Sequence, residues 1–449
     1  MDGFNAVART MDGQRFFVKG RTFDATDPQL QDALARVYGG PERARCMCVR
    51  GGVEMYVAKY RDYVLKRMPD TGSEHHPTCP SYEPERSQSG LGQLMGEAII
   101  RHSPESVELR LDFPLSRYPG QAIGRGEAEA PAAVSAPRHG MSLRALMHFL
   151  WESAGFNRWY PAMKDKRSQA VLRKYLLDAA DGMQTKGIRL AERLYVPEQF
   201  QEDRKEEAAA RRRNQLAVLQ SPEADVQFKM AIVLGEFKAV ESSPYGRRVW
   251  VKHMPDCPLQ VDAKPWKRIE RVFGPLFEAR EADTRAKLKL ILCALIYAKR
   301  EHIYQIDTAS FMLVTENWIP IEGVHEADLI QALTEQSRRF LKPLRYDATS
   351  AAHFPNVLLL DSGDKPTSMH IVSGFMEAKD LAAKEKALKA QDTGGWVWHT
   401  ERPMPPLPEP RRDGIHYAAQ GRAPTAEPAK DSPPKIPERR AGGDIERGA

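Results

Sequence analysis

Apolar and polar residues alternate along short stretches of the first quarter of the chain, which is the pattern of half-buried β-strands. Such stretches span 14–19, 53–59 and 62–68, and the last two are close enough in sequence to form a hairpin. Apolar residues on one helical face predict a helix at 28–38. We therefore predict a small β-rich domain at residues 1–117.

The rest of the chain divides by its pattern into four further parts. A stretch rich in Gly, Ala and Pro at 118–140 predicts a linker. Residues 141–222 carry the 3.6-residue period of helices, with Ser142 as the cap of the first one. Strands and helices alternate over 223–401, which indicates an α/β domain. The predicted fold class is therefore α+β, with several domains.

The C-terminal segment has a different composition. From Arg402 onward it holds 10 of the 33 prolines and few large apolar residues. Such a segment buries too little surface to offset the entropy of ordering, so we predict a disordered tail at 402–449. Within it, MPPLPEP at 404–410 suits a polyproline II helix that binds an aromatic groove, so the tail is a candidate docking segment for a protein partner.

Composition and the first residues of the chain indicate its location. The longest apolar run, Leu290 to Ala298, is too short to span a bilayer. The first residues, MDGFNAVART, lack the basic and apolar regions of a signal peptide. We therefore expect a cytoplasmic protein with no membrane partner. The formal net charge of +6 permits a nucleic-acid partner without requiring one.

Three of the five cysteines lie within 34 residues, next to a pair of histidines. Cys46 and Cys48 form a C-x-C pair, and His75 and Cys79 form an H-x-x-x-C pair. Zinc prefers four tetrahedral nitrogen and sulfur ligands, often two from each of two short clusters. We predict a zinc-knuckle domain in which these four residues hold a structural Zn²⁺ ion, because four protein ligands leave no position for a reacting water.

Other interpretations of this cluster stay open at this point. His76 is a rival fourth ligand, since H-x-x-C spacing is also workable. The cysteines could instead be buried free thiols beside an exposed histidine pair. A redox pair is a further alternative, but it needs a low-pKa thiolate beside a resolving thiol.

Three stretches of the chain resemble one bacterial family of unknown function. They are CMC…LKRMPDTGSEHHPTCPSYEPE, SLRALMHFLWESAGFNRWYP and NWIPIEGVHEADLI…FLKPLRYD…FPNVLLLD. The family has three N-terminal cysteines and is often carried on plasmids and integrative elements. The resemblance implies no established activity, but it supports the metal ligands and a link to mobile DNA.

Residues 323–400 also resemble a degenerate PD-(D/E)xK nuclease core, with the predicted order helix, three strands, helix, strand. In that family a Pro-Asp and a (D/E)-x-K motif hold Mg²⁺ and position water. Here Asn356 replaces the aspartate, and His370-Ile371-Val372 replaces the second motif. Asp361 and Glu326 remain as possible carboxylates, and Lys384 or Lys386 as the possible lysine. We expect a fold kept for binding or packing, because too few hard ligands for Mg²⁺ remain. An α/β domain with no relation to nucleases is the alternative.

The helical block is the candidate nucleic-acid interface. Between Met141 and Leu190 there are nine Lys and Arg against four Asp and Glu. A basic and aromatic junction between two helices suits phosphate contacts and base stacking. The candidate residues are Arg158, Trp159, Lys164, Lys166 and Arg167. The alternative is an ordinary helical subdomain with solvated charges and a core tryptophan.

These features predict a nucleic-acid-associated accessory protein of a bacterial mobile element, binding DNA rather than cleaving it. A metal-dependent nuclease with a rearranged site and a protein-interaction scaffold are the alternatives. The sequence contains no G-x-x-x-x-G-K-[ST], H-E-x-x-H or G-x-S-x-G motif, so ATP-driven and serine-hydrolase chemistry are unsupported.

Overall fold

The computed structural model describes residues 14–59, 62–103, 106–117, 140–220, 228–283, 285–348, 352–389 and 395–411. Within these ranges the chain is a mixed α+β structure with four sheets. The predicted linker, except for Gly140, and the predicted tail from residue 412 onward lie outside the described residues.

The N-terminal part is an antiparallel sheet in the strand order β2-β1-β3-β4-β5, with one helix packed on it. Its elements are β1 (Arg15–Val18), β2 (Arg21–Asp24), α1 (Leu30–Val37), β3 (Ala44–Cys46), β4 (Val53–Lys59) and β5 (Tyr63–Arg67). The strands and the helix predicted in this part are confirmed. Helix α1 buries Leu30, Leu34 and Val37, which are spaced to share one face.

The middle of the chain combines helices with short strands. These elements are β6 (Ile99–Ser103), β7 (Ser106–Leu109), β8 (Ser116–Arg117), α2 (Leu143–Ser153), β9 (Arg158–Trp159), α3 (Gln169–Asp181), β10 (Met183–Thr185), β11 (Ile188–Arg189), β12 (Leu194–Tyr195) and α4 (Lys205–Leu216). The predicted cap of α2 is confirmed, because the Ser142 hydroxyl accepts a 3.1 Å hydrogen bond from the Ala145 N–H. Strands β6, β7, β10 and β11 form a sheet of their own.

A closed ring of five strands follows. Its segment of the chain contains β13 (Phe228–Ser243), β14 (Gly246–Val251), β15 (Leu259–Asp262), α5 (Ala263–Ala282), β16 (Lys289–Arg300), β17 (Ile303–Val314) and β18 (Pro320–Ile321). The first half of β13 pairs with β16 and the second half with β14. Strand β14 pairs with β15, β15 runs parallel to β17, and β17 pairs with β16, which closes the ring.

The last sheet has the order β22-β21-β20-β19-β9. Its segment contains α6 (Val324–Glu335), β19 (Phe340–Leu341), β20 (Val357–Leu359), β21 (Thr367–Val372), α7 (Ala378–Lys389) and β22 (Trp396–His399). The predicted order helix, three strands, helix, strand is confirmed. The first helix ends at Glu335, because Ser337 adopts a left-handed conformation with φ of 54° and Phe340 begins a strand.

Three hydrophobic cores hold these elements together. The N-terminal core takes in Leu341, Leu358 and Leu360 from the last sheet. A second core packs helices α2 and α3 against the outer side of β13, β16 and β17. The third fills the ring and continues into the last sheet. Each core therefore contains side chains from both sides of at least one predicted domain boundary.

The start of the predicted tail is ordered. Residues 403–411 form neither helix nor strand, and Met404 and Leu407 pack against the third core. The indole N–H of Trp396 donates to the Pro406 carbonyl, and that of Trp398 donates to the Arg402 carbonyl, both at 2.9 Å. The prediction of a disordered tail from residue 402 is thus wrong for residues 402–411. The aromatic side chains that this Pro-rich segment contacts belong to the same chain.

Candidate metal centre

The four predicted metal ligands come together beside the N-terminal sheet. Cys46 is the last residue of β3, where it pairs with β1 and β4. The chain then turns through Cys48 and Gly52. A side chain at position 52 would come within 2.9 Å of the Met47 sulfur. His75 follows a short 3-10 turn after β5, and Cys79 lies one turn further on. The β4–β5 hairpin therefore brings the two halves of the cluster together.

The ligand atoms are arranged at metal-site distances. The Sγ atoms of Cys46 and Cys79 are 3.7 Å apart. The Nδ1 atom of His75 lies 3.3 Å from Sγ of Cys48 and 3.7 Å from Sγ of Cys79. A tetrahedral site with metal–sulfur bonds of about 2.3 Å separates its ligand atoms by roughly 3.5–3.8 Å. All four ligand atoms lie within 4.8 Å of one another and all four residues are buried, so the cluster could hold a metal ion.

The structure distinguishes His75 from His76. The Nδ1 atom of His76 lies 2.8 Å from the Thr78 hydroxyl, and its ring is not part of the cluster. The backbone N–H of His76 does contact the site, because it donates to Sγ of Cys48 at 3.5 Å. His75 supplies the ligand atom, and His76 contributes a backbone hydrogen bond.

The side chain of Gln14 is a part of the site that sequence reasoning missed. Its amide Nε2 lies 3.8 Å from Sγ of Cys46 and 3.9 Å from Sγ of Cys79, and the residue is 2% exposed. The N–H of Ser81 donates to Sγ of Cys79 at 3.4 Å. Such donors stabilise thiolate charge and orient the ligands. No spacing motif marks Gln14, since it precedes the first cysteine by 32 residues.

The three thiols of the metal-free cluster do not share charge equally. Hydrogen bonds from Cys48 and Cys79 lower the pKa of Cys46. Its thiolate in turn raises the pKa of Cys48 to about 12, and also raises the pKa of Cys79, with burial adding to both shifts. Only one thiolate is favoured without a cation, so a bound metal ion supplies the charge that lets all three ionise.

The predicted nucleic-acid residues separate into two groups. Trp159 is 1% exposed and belongs to the third core, so its ring is not available for stacking on a base. The Arg167 guanidinium donates to the carbonyl oxygens of Gly155, Phe156 and Asn317. Burial lowers the pKa of Arg167 to about 9. These two side chains hold the junction between helices α2 and α3 together.

Of the other three candidates, only the two lysines are exposed. Lys164 and Lys166 are exposed on either side of Asp165, which has a left-handed φ of 59°. Arg158 donates to the Pro80 carbonyl at 3.2 Å and so ties the junction to the loop that follows Cys79. Phosphate contacts by this block would therefore be made by the two lysines.

The nuclease-like positions form a buried polar cluster. The Asn356 amide donates to Oε1 of Glu326 at 2.6 Å. Lys384 donates to Oδ1 of Asn356 and to the Phe354 carbonyl, both at 2.9 Å. Nζ of Lys342 lies 3.3 Å from Oε1 of Glu326. Lys384 rather than Lys386 is thus the lysine of this cluster.

Electrostatics follow from that packing. Burial opposes the charge of Glu326, but Lys342 and Arg345 outweigh it, so the pKa of Glu326 is lowered. Burial lowers the pKa of Lys384 to about 7. Burial and the nearby Lys384 lower the pKa of His370 to about 3. Asp361 is not in the cluster, because its carboxylate pairs with Arg338 at 2.7 Å.

Comparison with known proteins finds a matching family but no individual relative. No curated protein and no solved structure matches the chain. Among the described residues, no helix is long and apolar enough to cross a membrane. A family model described as a protein of unknown function, DUF1173, matches residues 16–401, which include the four cluster residues and the whole last sheet. The chain therefore belongs to the DUF1173 family.

Proposed function

We propose that this chain is a nucleic-acid-associated accessory protein of a bacterial mobile element, which binds nucleic acid and does not cleave it. The observation that carries the proposal is the Glu326–Asn356–Lys384 cluster. Its residues lie on a helix, before a strand and on a second helix, in the element order of the nuclease-like core. This likeness supports descent of the fold from an enzyme that acted on nucleic acid.

The same cluster argues against cleavage. A Mg²⁺ ion needs several hard oxygen ligands, usually carboxylates and water. The carboxylate of Glu326 is already held by Lys342 and by the Asn356 amide. The Lys384 ammonium donates a hydrogen bond to Oδ1 of Asn356, and Lys384 is 3% exposed. Lysine side chains of the protein therefore occupy the position that a Mg²⁺ ion would need.

For the N-terminal cluster we propose a structural Zn²⁺ ion. Three thiolates and one imidazole nitrogen form a donor set that zinc favours, and four protein ligands complete its tetrahedron. Thiolate ligands persist where thiols stay reduced, which supports a cytoplasmic location. Because Arg158 contacts the loop after Cys79, the ion would also hold the helical block in place.

Fluorescence anisotropy with labelled single-stranded DNA, duplex DNA and single-stranded RNA tests the proposal. We expect binding that weakens steeply with salt, because phosphate contacts release counterions. Lys164→Glu with Lys166→Glu tests the helical block, and Lys19→Glu with Lys59→Glu is a control with the same change in charge. Absence of binding at low salt would contradict the proposal. Cleavage in Mg²⁺ or Mn²⁺ that is lost in Glu326→Gln protein still folded by circular dichroism would favour the nuclease alternative.

A further inference from the structure

The closed ring exposes one part of its outer surface. Strands β13 and β16 contribute alternate residues to two cores, so both of their faces are covered. Strands β14 and β15 contribute Val249, Val251, Leu259 and Val261 to the ring interior and nothing to the second core. Since alternate residues of a strand point to opposite faces, the outer face of β14 and β15 lies outside both cores.

This outer face carries side chains suited to a ligand. Arg248 is exposed, and Trp250 and Gln260 are partly exposed on the same face. The hairpin between β13 and β14 ends at Tyr245, which is 90% exposed. Gly246 follows and pairs with Asp262, where a side chain would collide with the Val261 carbonyl. The hairpin tip is therefore held directly beside the start of helix α5.

Helix α5 continues this surface with a basic stripe. Lys264, Lys267, Arg268 and Arg271 have the spacing i, i+3, i+4, i+7, which places them on one side of the helix. Trp266 and Ile269 face the ring interior on the other side. The stripe spans roughly 10 Å at 1.5 Å per residue.

The stripe lacks the ion pairs that a solvated helix face usually has, although Asp262 caps α5 and Glu270 lies next to Arg271. The first turn of α5 contains no acidic residue, and within the described part of the chain none of the four side chains has an ion-pair partner. Cations near a helix N-terminus oppose the helix dipole, and like charges four residues apart repel. Helix α4 shows the contrast, because its basic residues Lys205 and Arg211 pair with Glu202 and Glu198. An anionic partner would balance the charge of the stripe on α5.

We propose that the outer face of β14 and β15, the Tyr245 tip and the basic stripe of α5 form a binding surface for single-stranded nucleic acid. The strand order of the ring, with the helix between its third and fourth strands, is that of an OB-fold. Greek-key barrels of this kind bind oligonucleotides on their second and third strands, here β14 and β15. Phosphates contact the stripe, and bases stack on Tyr245 and Trp250. The inference rests on the nucleic-acid association proposed above and assigns it a surface.

Anisotropy with fluorescein-labelled dT and rU oligonucleotides tests this surface in the full, zinc-loaded chain. Lys264→Glu, Lys267→Glu and Arg271→Glu together should weaken binding at least tenfold. They should also reduce the slope of log K against log salt by about 2, since each phosphate contact contributes about 0.7 for single strands. Tyr245→Ala should weaken binding several-fold with little change in slope, because stacking releases no counterions.

The controls separate this inference from the proposed function. Arg204→Glu, Lys205→Glu and Arg213→Glu on α4 and its cap make the same change in charge and should leave affinity within about twofold of wild type. If wild type binds and both the α5 triple variant and Tyr245→Ala bind equally well, this surface is excluded while nucleic-acid association stands. If wild type binds neither oligonucleotide but binds duplex DNA, this surface is excluded and the proposed function stands. If it binds none of the three, both proposals fail. Equal binding to phosphatidylserine vesicles, competitive with dT, would overturn the assignment to nucleic acid.

Discussion

The Lys384 ammonium donates a 2.9 Å hydrogen bond to Oδ1 of Asn356, the residue that precedes β20 of the last sheet. Both residues belong to one buried network with Glu326, whose carboxylate faces Lys342. The Glu326 carboxylate thus contacts Lys342 directly and is linked to Lys384 through Asn356. We infer a role for its negative charge in the stability of the fold and not in a reaction.

Removing that charge should destabilise the protein. In Glu326→Gln the buried Lys342 ammonium loses its ion-pair partner, which typically costs about 3–5 kcal/mol. Urea unfolding of the two proteins measures the difference. Glu335→Gln on the same helix alters an exposed carboxylate and should change the free energy of unfolding by less than about 0.5 kcal/mol. Equal effects of the two variants would contradict the role of Glu326.

The two adjacent histidines should behave differently towards the metal. His75→Ala removes a ligand, so the purified protein should lose most of its zinc. His76→Ala keeps the backbone N–H that contacts Cys48 and should retain about one zinc per chain. Elemental analysis of both variants, with Cys257→Ser as a cysteine control outside the cluster, checks this. Zinc lost from His76→Ala alone would show that the ligand assignment is wrong.

The Gln14 amide should tune metal affinity without being a ligand. Gln14→Leu removes the N–H groups near the Cys46 and Cys79 sulfurs, and lost contacts of this kind typically weaken metal affinity about 10-fold or more. Competition with a chromophoric chelator measures the change. Gln31→Leu breaks hydrogen bonds to Tyr63 away from the cluster and should leave metal affinity unchanged. The same loss in both variants would point to a general effect on the sheet.

Stability should depend on pH through Glu152. Burial raises the pKa of Glu152 to about 7, although the Tyr346 hydroxyl donates to its carboxylate at 2.6 Å. Because the folded pKa lies above the ordinary value of 4.5, the free energy of unfolding should fall as pH rises from about 4.5 through about 7. The decrease is roughly 3 kcal/mol, at 1.36 kcal/mol per pKa unit.

Glu152→Gln should remove this dependence while it keeps an acceptor for the Tyr346 hydroxyl. Urea unfolding at pH 5.5 and pH 8 should show the variant gaining stability on wild type at the higher pH. Glu192→Gln changes an exposed carboxylate paired with Arg189 and should follow wild type at both values. A Glu152→Gln curve parallel to wild type would contradict the raised pKa.

The metal cluster was the most predictable part of the molecule. Cys46, Cys48 and Cys79 are clustered in sequence, and thiolate chemistry restricts what such a cluster does. The choice of His75 over His76 was not predictable, because adjacent residues point in different directions that only the turn after β5 determines. Gln14 was missed because its contact with Cys46 is purely tertiary.

The fold was predictable where one face of an element meets water. The alternation of β4 and the helical period of α1 have this origin. Strands β16 and β17 escaped prediction for different reasons. Most of β16 is buried on both faces and reads as a continuous apolar run, whereas the apolar residues of β17 are interrupted by Gln305, Asp307 and Ser310. Composition also placed the start of the disordered tail too early. It does not show that Met404 and Leu407 pack against the third core, beside Trp396 and Trp398 of the folded chain.

The N-terminal core has a consequence for synthesis. The sheet that carries Cys46 packs against Leu341, Leu358 and Leu360, which the ribosome makes some 300 residues later. Domains that are complete in sequence can fold as they emerge, whereas this sheet must wait with an exposed apolar face. Early capture of a metal ion would bring the two ends of the β4–β5 hairpin together during that interval. Nascent chains stalled before and after residue 360 should therefore differ in protease resistance at their N-termini.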